Sequence, residues 1–155
     1  MAEAILAMGG NQGAYPLAYA LAELKRVGEV RALSSLVKGP ALPVPGWGEN
    51  TADFLNLSLV LRTELSLSQL IEKIHEFESA QFRRRDLPEI CTLDIDVLRY
   101  EGVWQRPYEL HRPYIRLALH ELLGMSAEGI DWPQVHVCAA NEVESWLYSQ
   151  PCGAN

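Results

Sequence analysis

Residues Phe54–Thr63, FLNLSLVLRT, alternate without a break. Leu55, Leu57, Leu59 and Leu61 project to one face of an extended chain, and Phe54, Asn56, Ser58 and Val60 to the other. A strand whose one face is all leucine must lie in a sheet covered on that side, so the rest of the chain has to supply partner strands and helices.

It supplies them in a definite order. Residues 4–8 form a short apolar run ended by Gly9-Gly10-Asn11, which predicts a strand and a tight turn. Residues 14–27 place Leu17, Ala20, Leu21 and Leu24 at helical spacing and stop at Gly28. Residues 30–37 predict a second strand. Gly39-Pro40, Pro43, Pro45-Gly46 and Gly48 then exclude regular structure until about Thr51, a long loop of the kind that carries function. After the leucine strand, Ser66 and Gln69 predict a capping box that opens a helix through Leu67, Leu70, Ile71 and Ile74 towards Phe82. Residues 92–100 predict a fourth strand, 114–124 a helix, and 141–149 a closing helix capped by Asn141. The order β-α-β-β-α-β followed by helices predicts an α+β split βαβ sandwich, with helices on one face of an antiparallel sheet and the other face free to bind.

Length and charge narrow the function. A chain of 155 residues suits a single domain over 1–155, and a net charge of −7 argues against a nucleic-acid partner. Three cysteines, Cys91, Cys138 and Cys152, match neither a zinc-ligand spacing nor a disulfide framework, as expected for reduced thiols in a cytoplasmic protein. The first residues lack a basic leader, and no stretch approaches a membrane span, so neither secretion nor a membrane partner is expected. The charge is uneven, however. Residues 83–116 hold seven arginines against six acids, while the remainder has six basic residues against fourteen acidic ones. A phosphate-sized anion belongs in that window if anywhere, although solvated surface arginines would give the same count.

The same window holds Thr92-Leu93-Asp94-Ile95-Asp96-Val97, whose carboxylates at i and i+2 share one face of a strand while Leu93, Ile95 and Val97 take the other. Two adjacent acids repel, and a hard divalent cation such as Mg²⁺ relieves them and completes its shell with water and phosphate oxygens. Alternation alone also allows two solvated acids. Glu78 and Arg83-Arg84-Arg85 lie just upstream, and His111, Arg112 and Arg116 downstream, the cationic groups that a metal–nucleotide site needs. No GxxxxGK[ST] loop and no GxGxxG is present, so any nucleotide is held by side chains.

These motifs, in this order, resemble the 6-hydroxymethyl-7,8-dihydropterin pyrophosphokinase family, most clearly over residues 4–124. Gly9-Gly10-Asn11 is similar to the family's Gly-Ser-Asn turn, Phe54-Leu55-Asn56 to its aromatic-Leu-Asn motif, and Thr92-Leu93-Asp94-Ile95-Asp96 to its Thr-Leu-Asp-Leu-Asp strand. Glu78, Arg83 and Arg85 fall at the spacing of its Glu and paired arginines, and His111 and Arg116 resemble its downstream His and Arg. The resemblance implies a ferredoxin-like sandwich and transfer of diphosphate from ATP to a pterin alcohol, releasing AMP, in folate biosynthesis. It implies two Mg²⁺ on Asp94 and Asp96, and catalytic roles for these with Arg83 and Arg85. It further implies ATP contacts from Glu78, Arg83, Arg85, His111 and Arg116, and pterin contacts from Asn11, Phe54 and Asn56.

The chain departs from the family pattern at three places. Phe82 stands where the family has Gly, Cys91 where it has the Arg of Gly-Pro-Arg, and Ala118 where a second aromatic stacks on the pterin, unless Tyr114 or Trp47 takes that place. These departures keep open an alternative, a homologue that binds a pterin or nucleotide without efficient transfer.

Overall fold

The computed structural model describes residues 1–40, 52–83, 86–87, 90–130 and 135–150. Most of the expected Pro/Gly-rich loop, Arg84, Arg85, Trp47 and Cys152 lie outside the described residues. The strands are β1 (Ala2–Gly10), β2 (Gly28–Leu33), β3 (Leu36–Gly39), β4 (Phe54–Thr63), β5 (Asp94–Tyr100), β6 (Val103–Trp104) and β7 (Val135–Cys138). The helices are α1 (Tyr15–Val27), α2 (Leu67–Ala80), α3 (Pro113–Leu123) and α4 (Val143–Ser149), with short 3-10 turns at Pro107–Glu109 and Ala140–Glu142.

The strands run in the order β6-β5-β1-β4-β3-β7, with β2 also paired to β4, and every pairing is antiparallel. β1 therefore sits between β4 and β5, the arrangement expected of a split βαβ sandwich. The leucines of β4 behave as their alternation requires. Leu57, Leu59 and Leu61 join Leu6 and Met8 of β1, Ile95 and Val97 of β5, Leu17, Leu21 and Leu24 of α1, and Leu70 and Ile74 of α2 in the main core.

The second face is less open than expected. Ile5, Ala7, Val60 and Leu98 turn to it and pack under Ile115 and Leu119 of α3, so α3 covers part of the face that the helices were expected to leave free. Period-2 alternation shows that a strand has two faces but not what lies over the second.

Three further corrections have local causes. The strand expected over 30–37 is two strands, because Ser34 and Ser35 replace ladder bonds with side-chain bonds. Ser58 N–H donates to Ser34 Oγ (2.8 Å), and Ser35 donates from its N–H and its hydroxyl to Glu121 of α3 (2.7 and 2.9 Å). The closing helix starts at Val143 with Glu142 as its N-cap, and Asn141 lies in the preceding 3-10 turn without a capping bond. The strand β7, not anticipated, extends the sheet at β3.

The capping box is present as expected, with Ser66 Oγ accepting from Gln69 N–H and Gln69 Oε1 from Ser66 N–H (3.2 and 2.9 Å). The other end of α2 is more unusual. Phe82 N–H donates to the Ser79 carbonyl and Arg83 N–H to the Glu78 carbonyl, the paired bonds of a Schellman motif. Phe82 thus occupies the left-handed position of that motif, at φ 59°, and the residue is 84% exposed. Glycine normally fills this position because a Cβ there is strained. Phe82→Gly is expected to stabilise the protein by about 1 kcal/mol, read as a higher denaturant midpoint at unchanged slope.

Candidate active site

The register of the three central strands builds the site. Gly9 of β1 pairs with Asn56 on one side and Asp94 on the other, and Ala7 pairs with Ser58 and Asp96. Because Gly9 and Ala7 carry so little side chain, they floor a hollow whose walls are Phe54 and Asn56 of β4, Asp94 and Asp96 of β5, and Tyr114 and Ile115 of α3. In this conformation the hollow is small, about 40 Å³. A methyl group at Gly9 would overlap the Asn56 side-chain oxygen, and one at Gly10 the Thr92 carbonyl. Glycine is therefore required here by close approach.

Alternation along β5 places the two aspartates as expected, with Leu93, Ile95 and Val97 in the core. Each carboxylate meets an arginine. Arg83 Nη1 lies 3.1 Å from Asp94 Oδ1 and 2.9 Å from the Leu93 carbonyl. Arg106 Nη1 lies 3.0 Å from Asp96 Oδ1. Burial pushes the Asp96 carboxyl up to about 7, reinforced by the like charge of Asp94 and only partly opposed by Arg106. A buried acid so placed gains from any further cation.

Among the described residues no group of three or more His, Cys, Asp or Glu side chains forms a metal cage. Two carboxylates on one face fit Mg²⁺, which typically uses one or two and leaves its remaining positions to water and phosphate.

Behind these contacts stand two buried acids. Glu78 is 3% exposed; its Oε2 accepts from Ile95 N–H (3.0 Å) and lies 3.9 Å from Arg83 Nη1. It fixes the start of β5 and the base of Arg83. Glu109, 2% exposed, pairs with Arg106 (3.0 Å) and Arg112 (3.2 Å), and Arg112 Nη1 in turn donates to Tyr114 Oη (3.2 Å). Sequence reasoning missed Arg106 and Glu109. The spacing Arg106, Glu109, Arg112, an acid with a base three residues to either side, was the available signal.

A second cleft, about 280 Å³, adjoins the first through Asp96 and is lined by Ile71, Ile74, His75, Val97, Arg106 and Tyr108 among others. Tyr108 is exposed at its edge beneath the Arg106 guanidinium, 5.8 Å from the ring centre.

Of the residues singled out in the sequence, Phe54, Asn56, Asp94 and Asp96 share the hollow, and Arg83 reaches its edge at Asp94. Others are placed elsewhere. Asn11 lines a separate cavity of about 450 Å³, and its Oδ1 accepts from Cys91 N–H (2.8 Å) while its own N–H donates to the Cys91 carbonyl, so its side chain secures the approach to β5. Arg116 is bound to the Leu110 and Ser126 carbonyls (3.1 and 3.3 Å), and His111 is exposed and borders neither cleft. Glu78 is too deeply buried to meet a nucleotide in this conformation. Arg85 lies outside the described residues. Cys91 and Cys138 are free and buried, and burial holds the Cys91 thiol up to about 12, which keeps it neutral. Ala118 is buried in α3, while Tyr114 borders the hollow.

No curated protein sequence matches the chain. Among solved structures, wild-type Plasmodium falciparum HPPK-DHPS with SDX-DHP superposes with a TM-score of 0.58 at 14% identity, covering 94% of this chain and 43% of that one. A triple mutant of the same protein with STZ-DHP gives 0.56 at 14% identity, again covering 94% and 43%. The chain thus spans less than half the length of these neighbours, and at such identity the likeness establishes the fold. No helix among the described residues is long and apolar enough to cross a membrane. The profile of the 7,8-dihydro-6-hydroxymethylpterin-pyrophosphokinase (HPPK) family matches residues 5–124, from β1 to the cap of α3, and the chain belongs to that family.

Proposed function

We propose that this chain transfers diphosphate from ATP to the hydroxyl of 6-hydroxymethyl-7,8-dihydropterin, as a single cytoplasmic unit over 1–155 with small molecules rather than nucleic acid as partners. The observation that carries the reading is that Asp96 borders both clefts, one walled by Phe54 and Asn56 and the other by Tyr108 and the apolar face of α2. The first suits a flat heterocycle with a hydrogen-bonding edge, and the second a purine base.

In the reaction the pterin oxygen bonds to the β-phosphorus as the bridge to the α-phosphate breaks, the hydroxyl proton is lost, and AMP leaves. Asp94 and Asp96 would hold two Mg²⁺, which when bound supply neutralisation of the phosphate oxygens. Asn56 orients the pterin edge, and Phe54 stacks on its ring. Tyr114 takes the side left open at Ala118, and because the hollow is small, its ring moves aside as the pterin enters. Arg83 and Arg106, which pair with Asp94 and Asp96 at 3.1 and 3.0 Å, are the cations beside the transferring group, Arg85 would join them on the phosphates, and His111 and Arg116 reach the phosphates only if their segments rearrange on binding, as lid elements do.

Mixing the protein with ATP, Mg²⁺ and the pterin alcohol should release AMP, and no AMP with any divalent cation would sink the reading. The two clefts separate kinetically. Phe54→Ala is expected to raise the pterin KM about tenfold with little change for ATP, and Tyr108→Ala to do the reverse, since each removes one stacking surface.

A further inference from the structure

Arg106 has two carboxylate partners, and they differ in kind. Asp96, on β5, faces the hollow where a cation would sit. Glu109 lies behind, almost fully buried and already paired on its other oxygen with Arg112. Both distances are 3.0 Å, so the guanidinium is shared between an acid that a ligand can claim and one that no ligand reaches.

We propose that Glu109 is a positioning residue that retains Arg106 when a divalent cation takes Asp96, so that Arg106 serves as the internal counter-ion of the metal-free site and yields it at little cost. This rests on the metal reading of Asp94 and Asp96.

A cation and a guanidinium cannot both hold the same face of one carboxylate, so cation binding must loosen the pair between Arg106 and Asp96. A partly buried guanidinium without a partner is costly, and the nearer its alternative partner, the smaller that cost. Glu109 is already in contact, so Arg106 gives up one bond without travelling. If Glu109 could no longer hold it, Arg106 would depend on Asp96 alone and compete harder with the cation.

Mn²⁺ binding to the full chain without nucleotide, followed by electron paramagnetic resonance, tests this. Arg106→Gln removes the competitor and should tighten Mn²⁺ binding about fivefold, whereas Glu109→Gln should weaken it by a similar factor. The decisive variant is the double substitution. With Arg106 already absent, Glu109→Gln should change Mn²⁺ affinity by less than about twofold. Glu109→Asp, which keeps the charge, should bind Mn²⁺ nearly as the unmodified protein does, an outcome that a packing role alone would not give.

An undiminished loss from Glu109→Gln in the Arg106→Gln background would show that Glu109 acts through its field alone and would overturn the proposal. So would weaker Mn²⁺ binding in Arg106→Gln. If the unmodified protein bound no Mn²⁺ at neutral pH, this inference would fall, whereas the AMP-release assay would still decide the diphosphokinase reading.

Discussion

Asp96→Asn is expected to abolish AMP release while making the metal-free protein more stable at neutral pH. Activity and stability move apart because the carboxylate is costly to the fold and useful only to the bound cation. Removing one of two metal carboxylates takes away several kcal/mol of charge stabilisation, about a thousandfold or more in kcat. The folded chain holds the Asp96 proton up to about 7, whereas the ordinary value is 3.8. The fold therefore binds this proton more tightly than the unfolded chain does. Its contribution is fully present below about pH 4 and is lost as pH rises towards 7, by a few kcal/mol at most. Thermal melts of the metal-free protein should accordingly show stability falling across that window, and the Asn variant should lack the fall. Saturating Mg²⁺ should restore the unmodified protein at pH 8 and leave the variant unmoved. A parallel loss of stability and activity in the variant would contradict the assignment.

Glu78→Ala is expected to cost about 3–5 kcal/mol, because it strands two groups at once. The Ile95 N–H loses its acceptor inside the core edge, and Arg83 loses the buried acid at its base. Chemical denaturation would measure this as a large drop in midpoint. Glu78→Gln is more informative about role, since it keeps an acceptor for Ile95 while removing the charge. Among the described residues, Arg83 is then held by Asp94 and the Leu93 carbonyl, and the Asp94 carboxylate becomes less available to a cation. The expected signature is a lower kcat with the KM for ATP within about twofold of the unmodified protein. A KM for ATP that rises strongly with kcat unchanged would instead restore Glu78 as a direct nucleotide contact, the role its position in the sequence suggested.

What could be foreseen in the sequence follows the range of the interactions involved. The Ser66/Gln69 capping box, the leucine face of β4 and the shared face of Asp94 and Asp96 are local patterns of three or four residues, and each is realised in the structure. The break at Ser34-Ser35 was not foreseeable because Ser35 is held by Glu121, eighty-six residues away. The present hydrogen bonds of Asn11 and Arg116 were not foreseeable for a related reason. Both are polar side chains in the expected neighbourhood, but nearby backbone groups use them, Cys91 in one case and Leu110 and Ser126 in the other. Motif spacing reports that a side chain is near a site, and its hydrogen bonds decide whether it is available. Arg106 and Glu109 escaped in the opposite sense, since an acid flanked by two bases at helical spacing ordinarily signals a solvated turn.

The floor of the hollow has an evolutionary consequence. Asn56 and Asp94 face each other across Gly9, so two adjacent strand spacings, roughly 9–10 Å, separate the group that would read one substrate from the group that would hold the metal. Backbone pairing sets that distance, and no side chain can tune it. Nearly every other position in the sandwich can therefore drift without changing the gap between the two halves of the chemistry. Gly9 cannot, because even a methyl group would displace Asn56. In this chain the site's own measure is thus set by backbone, and Gly9 and Gly10 are positions where close approach leaves no room for a side chain.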